Sequence, residues 1–137
     1  MTNGLKFFSQ EWCAAAMEKM NANDAVYKGF KDPATFTNRM EFGTIGRDDI
    51  KSHLEWKEGK VVAWTTPQYP EDDLWLKING SLETWRKVAE GGAEGGTLLL
   101  AGKIKFAKGP MAAAIENAGA FNNFLLTWGQ VPTDWDV

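Results

Sequence analysis

Apolar and polar positions alternate with two different periods along the chain, and the changes of period mark its elements. In "QEWCAAAMEKMN", Trp12, Ala15, Ala16 and Met20 recur at helical spacing. Ser9 stands where a cap is needed and Glu11 lies in the first turn, so a helix is predicted there. "DAVYKGF" reads as a second, short helix opened by Asn23-Asp24 and broken by Asp32-Pro33. The period then drops to two. In "ATFTNRMEFGTI", Phe36, Met40 and Phe42 alternate with Thr37, Arg39 and Glu41, and Asn38 is the one polar residue on the apolar side. "DIKSHLEW" sets Ile50, Leu54 and Trp56 against Lys51, His53 and Glu55. "KEGK" is a short turn and "VVAW" follows, so residues 49–64 predict a hairpin.

A polar loop with two prolines, "TTPQYPEDD", leads into a strand in which Leu74, Leu76 and Ile78 share one side and Lys77 takes the other. Ser81 caps a predicted helix over "LETWRKVAEG", ended by Gly91. Leu98 to Ala101 is a helical turn or coil, "GKIKFAKG" a strand, and Pro110 opens a helix over "MAAAIENA". "AFNNFLLTW" is a last amphipathic helix, stopped by Gly129 and Pro132. Hairpins without regular βαβ alternation predict an α+β fold. It consists of a single mainly antiparallel sheet of about five strands, with helices over one face.

Composition narrows the function. The 137 residues are the length of one domain, spanning 1–137. The net charge is −3, with both signs spread along the chain, and no basic stripe suggests a nucleic-acid partner. There is no apolar run long enough for a membrane span and no signal-peptide pattern, so the expected location is cytoplasmic. Cys13 is the only cysteine and His53 the only histidine. A His/Cys metal site lacks ligands, and Cys13 among Ala14, Ala15 and Ala16 reads as a small buried thiol rather than a nucleophile. Asp48-Asp49 and Glu71-Asp72-Asp73 read as solvated turns rather than cation sites. No metal and no cofactor is expected.

The run "GGAEGGTLLLAGKIKF" is the one stretch that suggests a phosphate loop. It fails as one. Five residues separate Gly96 from Gly102, Ile104 rather than Ser or Thr follows Lys103, and a helix rather than a strand precedes the run. Gly91 and Gly92 are expected to close a helix, with Gly95 and Gly96 in a free loop.

The same region carries another signal. "DDLWLKINGSLETWRKVAEG" followed by "TLLLAGKIKFAKGPMAAA", residues 72–114, resembles the C-terminal half of the sterol carrier protein type 2 family. An acidic residue precedes a strand, and an aromatic lies early in a helix that ends at glycine. A short apolar turn then enters Gly-Lys-aliphatic-Lys, a glycine turn and a helix opening with Met. The hairpin upstream and the leading helix are compatible, so the resemblance runs from about residue 9 to 129. The ending "QVPTDWDV" lacks the peroxisomal tripeptide, which points to a prokaryotic member.

The resemblance implies five strands, helices over one face, and an apolar tunnel between them for fatty acids, acyl-CoA esters, sterols or phospholipids. The walls would come from the apolar positions already read. Those on strands are Phe36, Met40, Leu54, Trp56, Leu76, Ile78, Ile104 and Phe106; those on helices are Trp85, Met111, Ile115, Phe121, Phe124, Leu125 and Trp128. Each of them, taken singly, reads as plain core before it reads as a ligand contact. Lys103 and Lys105 are candidates to hold an acidic head, or simply keep a strand wet.

The expected action is reversible, non-enzymatic binding and delivery of a lipid or acyl ligand, with transient membrane contact. The alternative is an accessory subunit that docks a partner, or a second copy as a homodimer, through the stripe Phe121, Phe124, Leu125 and Trp128. An enzyme would need polar groups inside; Asn38 is the internal candidate, and an Asn satisfied by neighbouring backbone explains it more simply.

Overall fold

A computed structural model describes residues 4–137, apart from the side chains of residues 95, 96, 100 and 114. The helices begin where short polar side chains cap them. In α1 (Gln10–Asn21) the Ser9 hydroxyl accepts from the Trp12 amide at 3.2 Å. In α2 (Asp24–Gly29) Asn23 accepts from the Ala25 amide at 3.0 Å. In α3 (Leu82–Ala89) Ser81 accepts from the Thr84 amide at 3.1 Å. Each cap satisfies an amide that the helix itself leaves unpaired.

The strands follow the alternation. β2 (Asn38–Thr44), β3 (Arg47–Lys57), β4 (Lys60–Thr65), β5 (Leu76–Gly80) and β6 (Ile104–Lys108) form one sheet in the order β4-β3-β2-β5-β6. The β3–β4 turn holds Glu58 and Gly59 at φ 51° and 81°, the left-handed pair that matches the twist of a two-residue hairpin. β2 begins at Asn38 rather than near Phe36, because Pro33–Thr35 winds into a 3₁₀ turn that accepts the Phe36 amide. β2 and β5 pair in parallel and every other neighbour is antiparallel. This central parallel pair makes the chain cross from edge strand β4, past β3 and β2, before it enters β5. The crossing is made by residues 66–75, on the outer face of the sheet.

The inner face is covered by α1, α3 and α6 (Ala118–Thr127), with α2 packed against α6. The core lies there: Met40, Phe42, Leu54, Trp56, Trp64, Leu76 and Ile78 from strands meet Trp12, Trp85, Phe124 and Trp128. α4 (Gly95–Leu100) starts inside the glycine run, so Gly95 and Gly96 open a helix instead of a free loop. Gly91, at φ 79°, closes α3 as expected. A short parallel pair joins β1 (Leu5–Lys6) to β7 (Thr133–Asp134), which alternation over two residues does not announce.

Candidate functional site

The space between sheet and helices is occupied by aromatic rings in mutual contact. Phe124 of α6 lies 5.3 Å from Phe42, 5.3 Å from Trp64 and 5.5 Å from Trp56, between ring centres. Trp128 stands 5.6 Å from Phe42, 5.3 Å from Trp85 and 5.6 Å from Trp12. Three indoles are fixed by hydrogen bonds as well as packing. Trp12 donates to Thr133 Oγ1 at 2.9 Å, Trp64 to Ser52 Oγ at 3.1 Å, and Trp85 to the Gly43 carbonyl at 2.9 Å.

At the end of the sheet where β2 starts, a solvent-open pocket of about 470 Å³ meets this interior. Phe36 and Trp75 form its apolar wall, with their rings 5.8 Å apart. Phe36 touches Trp56 at 5.4 Å and Phe121 at 6.4 Å, which links the pocket to the core behind it. The remaining lining is polar: Lys31, Asp32, Thr35, Thr37, Asn38, Glu116 and Asn117. Asn117 ties this rim together. Its Oδ1 accepts from the Lys31 amide at 2.9 Å, and its Nδ2 donates to the Ala113 carbonyl at 2.8 Å. Lys31 and Glu116 form an exposed ion pair at 3.5 Å. The pocket thus has one apolar wall inside a mostly polar rim, an arrangement that suits an amphipathic small molecule.

The expected wall residues fall into three groups. Met40, Leu54, Trp56, Leu76, Ile78, Trp85, Ile104, Phe124, Leu125 and Trp128 are buried in the core, and Phe36 is buried where core and pocket meet. Phe106 and Phe121 are half-buried. Met111 and Ile115, on α5 (Met111–Glu116), are 46% and 59% exposed and stand outside the interior. The C-terminal end of α5 is held to the Lys31 amide by Asn117 Oδ1. The stripe on α6 is spent on the core: Phe124, Leu125 and Trp128 are buried, and the large apolar residue that α6 exposes is Leu126, off that stripe. Lys103 and Lys105 are exposed at edge strand β6.

Asn38 differs from expectation in an informative way. It lines the pocket, yet its Oδ1 is buried without a protein hydrogen-bond partner. Trp75, Asn117 and the Lys31–Glu116 pair carry no signal in the sequence. They come from a loop and two helix ends, where periodicity says nothing about which residues meet.

The outer face holds a network of ionisable residues around His53 and Glu41. His53 is 3% exposed beneath the 66–75 crossing. Its Nδ1 accepts from the Gln68 and Tyr69 amides at 3.1 and 3.0 Å, which leaves the ring proton on Nε2, facing Glu41 Oε1 at 3.0 Å. That hydrogen bond holds the Glu41 carboxyl below its ordinary range, helped by Lys77 and Lys51. Lys77 also pairs with Glu71 at 2.9 Å, lowering that carboxyl and raising its own value. Tyr69 stacks on His53 and carries the Arg39 guanidinium 4.4 Å over its ring. The acidic runs are engaged too: Asp49 with Arg47 at 2.9 Å and Asp73 with Arg39 at 3.2 Å. Among the described residues, no three His, Cys, Asp or Glu side chains are grouped as a metal site would need. Cys13 is buried, and burial pushes its thiol up to about 12. None of these groups lines the pocket.

No protein-family model matches the sequence, and no curated protein matches it. Solved structures do match. A crystal structure of sterol carrier protein 2 superposes with a TM-score of 0.76 at 20% identity, covering 92% of this chain and 99% of that one. The chain has the sterol carrier protein 2 fold. A solution structure from Thermus thermophilus, of a conserved hypothetical protein described as a possible sterol carrier protein, gives 0.75 at 20% identity, covering 96% and 93%. Sterol carrier protein 2 from Yarrowia lipolytica, in its apo form, gives 0.55 at 15% identity, covering 93% and 97%. Coverage of this extent means that the fold accounts for nearly the whole chain, the resemblance read from residues 72–114 included. Among the described residues no helix is long and apolar enough to cross a membrane.

Proposed function

We propose that this protein is a non-enzymatic carrier of lipid or acyl ligands, working in the cytoplasm with transient contact to membranes. The observation that carries the reading is the pocket at Phe36 and Trp75, in a fold shared with structures named as sterol carriers. The pocket's apolar wall is continuous with the core and its rim is polar. A long apolar chain lies with its head at the rim formed by Lys31, Thr35, Thr37 and Asn38, and its tail passes Phe36 toward Phe121 and Trp56. Deeper accommodation requires ring shifts among the remaining wall residues, from Met40 and Leu54 to Phe124 and Trp128. Each methylene taken from water contributes about 0.8 kcal/mol, so affinity is set by chain length. Binding and release of this kind make and break no covalent bond. Met111 and Ile115, exposed on α5 near the rim residue Glu116, are the apolar residues suited to touch a bilayer during loading.

The test is native mass spectrometry of protein purified from cells, followed by organic extraction and titration with long-chain acids, acyl-CoA esters, alcohols and phospholipids. A bound chain at one per protein, with tighter binding for longer chains, is the expected result. A ligand-free mass together with no uptake from that panel would overturn the carrier reading.

A further inference from the structure

Two buried polar atoms without partners belong to residues that are cross-strand neighbours on the inner face. In the β2–β3 ladder Asn38 is paired with Trp56. Asn38 Oδ1 and Trp56 Nε1 are both buried, and neither has a protein hydrogen-bond partner. Trp12, Trp64 and Trp85 are each supplied with an acceptor by the chain, whereas Trp128 Nε1, among the core rings, is unpartnered like Trp56 Nε1. Leaving such atoms unpaired destabilises a fold, so a donor and an acceptor on neighbouring strands beside the pocket call for a chemical explanation. Asn38 lines the pocket, and Trp56 packs edge-on against Phe36, which lines it too.

The two atoms are complementary. An amide oxygen only accepts and an indole N–H only donates. The group that satisfies both at once is one that donates and accepts through a single atom, which describes a hydroxyl. A carboxylate can accept from the indole but has no proton to donate to Asn38 Oδ1. The rim adds to this bias: Lys31 is the cation among the lining residues, it is paired with Glu116, and Asp32 adds a further negative charge.

We infer that Asn38 and Trp56 are the specificity-determining pair for the ligand's polar end and select a neutral hydroxyl over a carboxylate. The ligand class is therefore a lipid alcohol. This rests on the carrier reading, and the experiment separates the two.

The probes are 1-tetradecanol, methyl tetradecyl ether and tetradecanoate, three heads on one chain. Binding is followed by tryptophan emission in the wild type, Asn38→Leu and Trp56→Phe. The wild type is expected to bind the alcohol about tenfold more tightly than the ether, the worth of one or two buried hydrogen bonds, and more tightly than the acid. Asn38→Leu should bring the alcohol-to-ether ratio close to one, with ether affinity unchanged within about twofold. Trp56→Phe should lower the same ratio while keeping a ring against Phe36, so the two variants report independently if one folds poorly. An acid bound as tightly as the alcohol by the wild type would overturn the inference, because the amide then presents its nitrogen. So would a ratio that neither variant changes, because the two atoms then share only a bound water. In both cases chain binding, and with it the carrier reading, survives. Failure of all three chains to bind the wild type would overturn the selectivity, while the carrier reading is decided by the wider lipid panel above.

Discussion

Removing the Glu41 carboxylate tests the outer face of the sheet. Glu41 and His53 are 6% and 3% exposed, and the 3.0 Å contact with Glu41 is the hydrogen bond that engages Nε2. In Glu41→Leu the imidazole cannot change tautomer to escape, because the Gln68 and Tyr69 amides already occupy Nδ1. A buried N–H is therefore left unpaired, Lys77 loses a charge partner 3.9 Å away, and the cost should be about 3 kcal/mol. Glu41→Gln keeps an acceptor oxygen and should cost about 1 kcal/mol. At about 3–5 °C per kcal/mol for a chain of this size, the melting temperature should fall by roughly 10 °C and 4 °C. Thermal unfolding followed by circular dichroism at pH 7 measures both. The pH dependence has a fixed sign. The Glu41 carboxyl titrates below its ordinary value of 4.5 when folded, so its stabilisation is complete above 4.5 and is lost as pH falls through the folded value. The gap between wild type and Glu41→Gln should narrow below pH 4.5, while the other carboxylates cancel in the difference. A Glu41→Leu cost under about 0.5 kcal/mol, or a gap that stays constant from pH 7 to 3, would refute the reasoning.

Cys13, with its thiol pushed up to about 12, should resist iodoacetamide in the folded protein at pH 8 and react at once in denaturant; rapid native labelling would contradict its burial. In Gly129→Ala the new methyl would collide with the Ala89 carbonyl, backbone against backbone, so a loss of about 2 kcal/mol or more is expected in denaturant titration. Met111→Glu with Ile115→Glu should leave stability within about 0.5 kcal/mol while slowing lipid exchange between vesicles; an unchanged exchange rate would remove α5 from the membrane-contact role.

The helices and strands were legible because their causes are local. Ser9 and Ser81 cap where sequence puts them, and the alternation around Met40, Leu54 and Ile78 survives as the inner face. The parallel β2–β5 pair was not legible, since strand order depends on which edges meet rather than on the pattern within a strand. With it went the crossing loop, and therefore the burial of His53 and Glu41 on a face that alternation marks simply as polar. At the pocket, Phe36 and Asn38 stood out by period, the second as a flaw. Trp75, Lys31 and Asn117 did not, because their meeting is a product of tertiary packing between a loop and helix ends. Met111 and Ile115 look apolar enough for an interior, but they stand on the solvent side of α5, and apolar character alone does not say which side of a short helix is covered.

The joining of β1 to β7 has a consequence for how the chain comes to be folded in a cell. The Leu5 amide donates to the Pro132 carbonyl at 2.8 Å, and Trp12 donates to Thr133 at 2.9 Å, across 121 positions. Synthesis proceeds at about 5–20 residues per second, so the first segment waits on the order of ten seconds for its partner to be made. Throughout that interval Phe7, Phe8 and Trp12 lack Trp128 and Trp135, the rings that cover them in the finished protein. The nascent chain thus shows an aromatic surface around Phe7, Phe8 and Trp12 until residues 128–135 have been made.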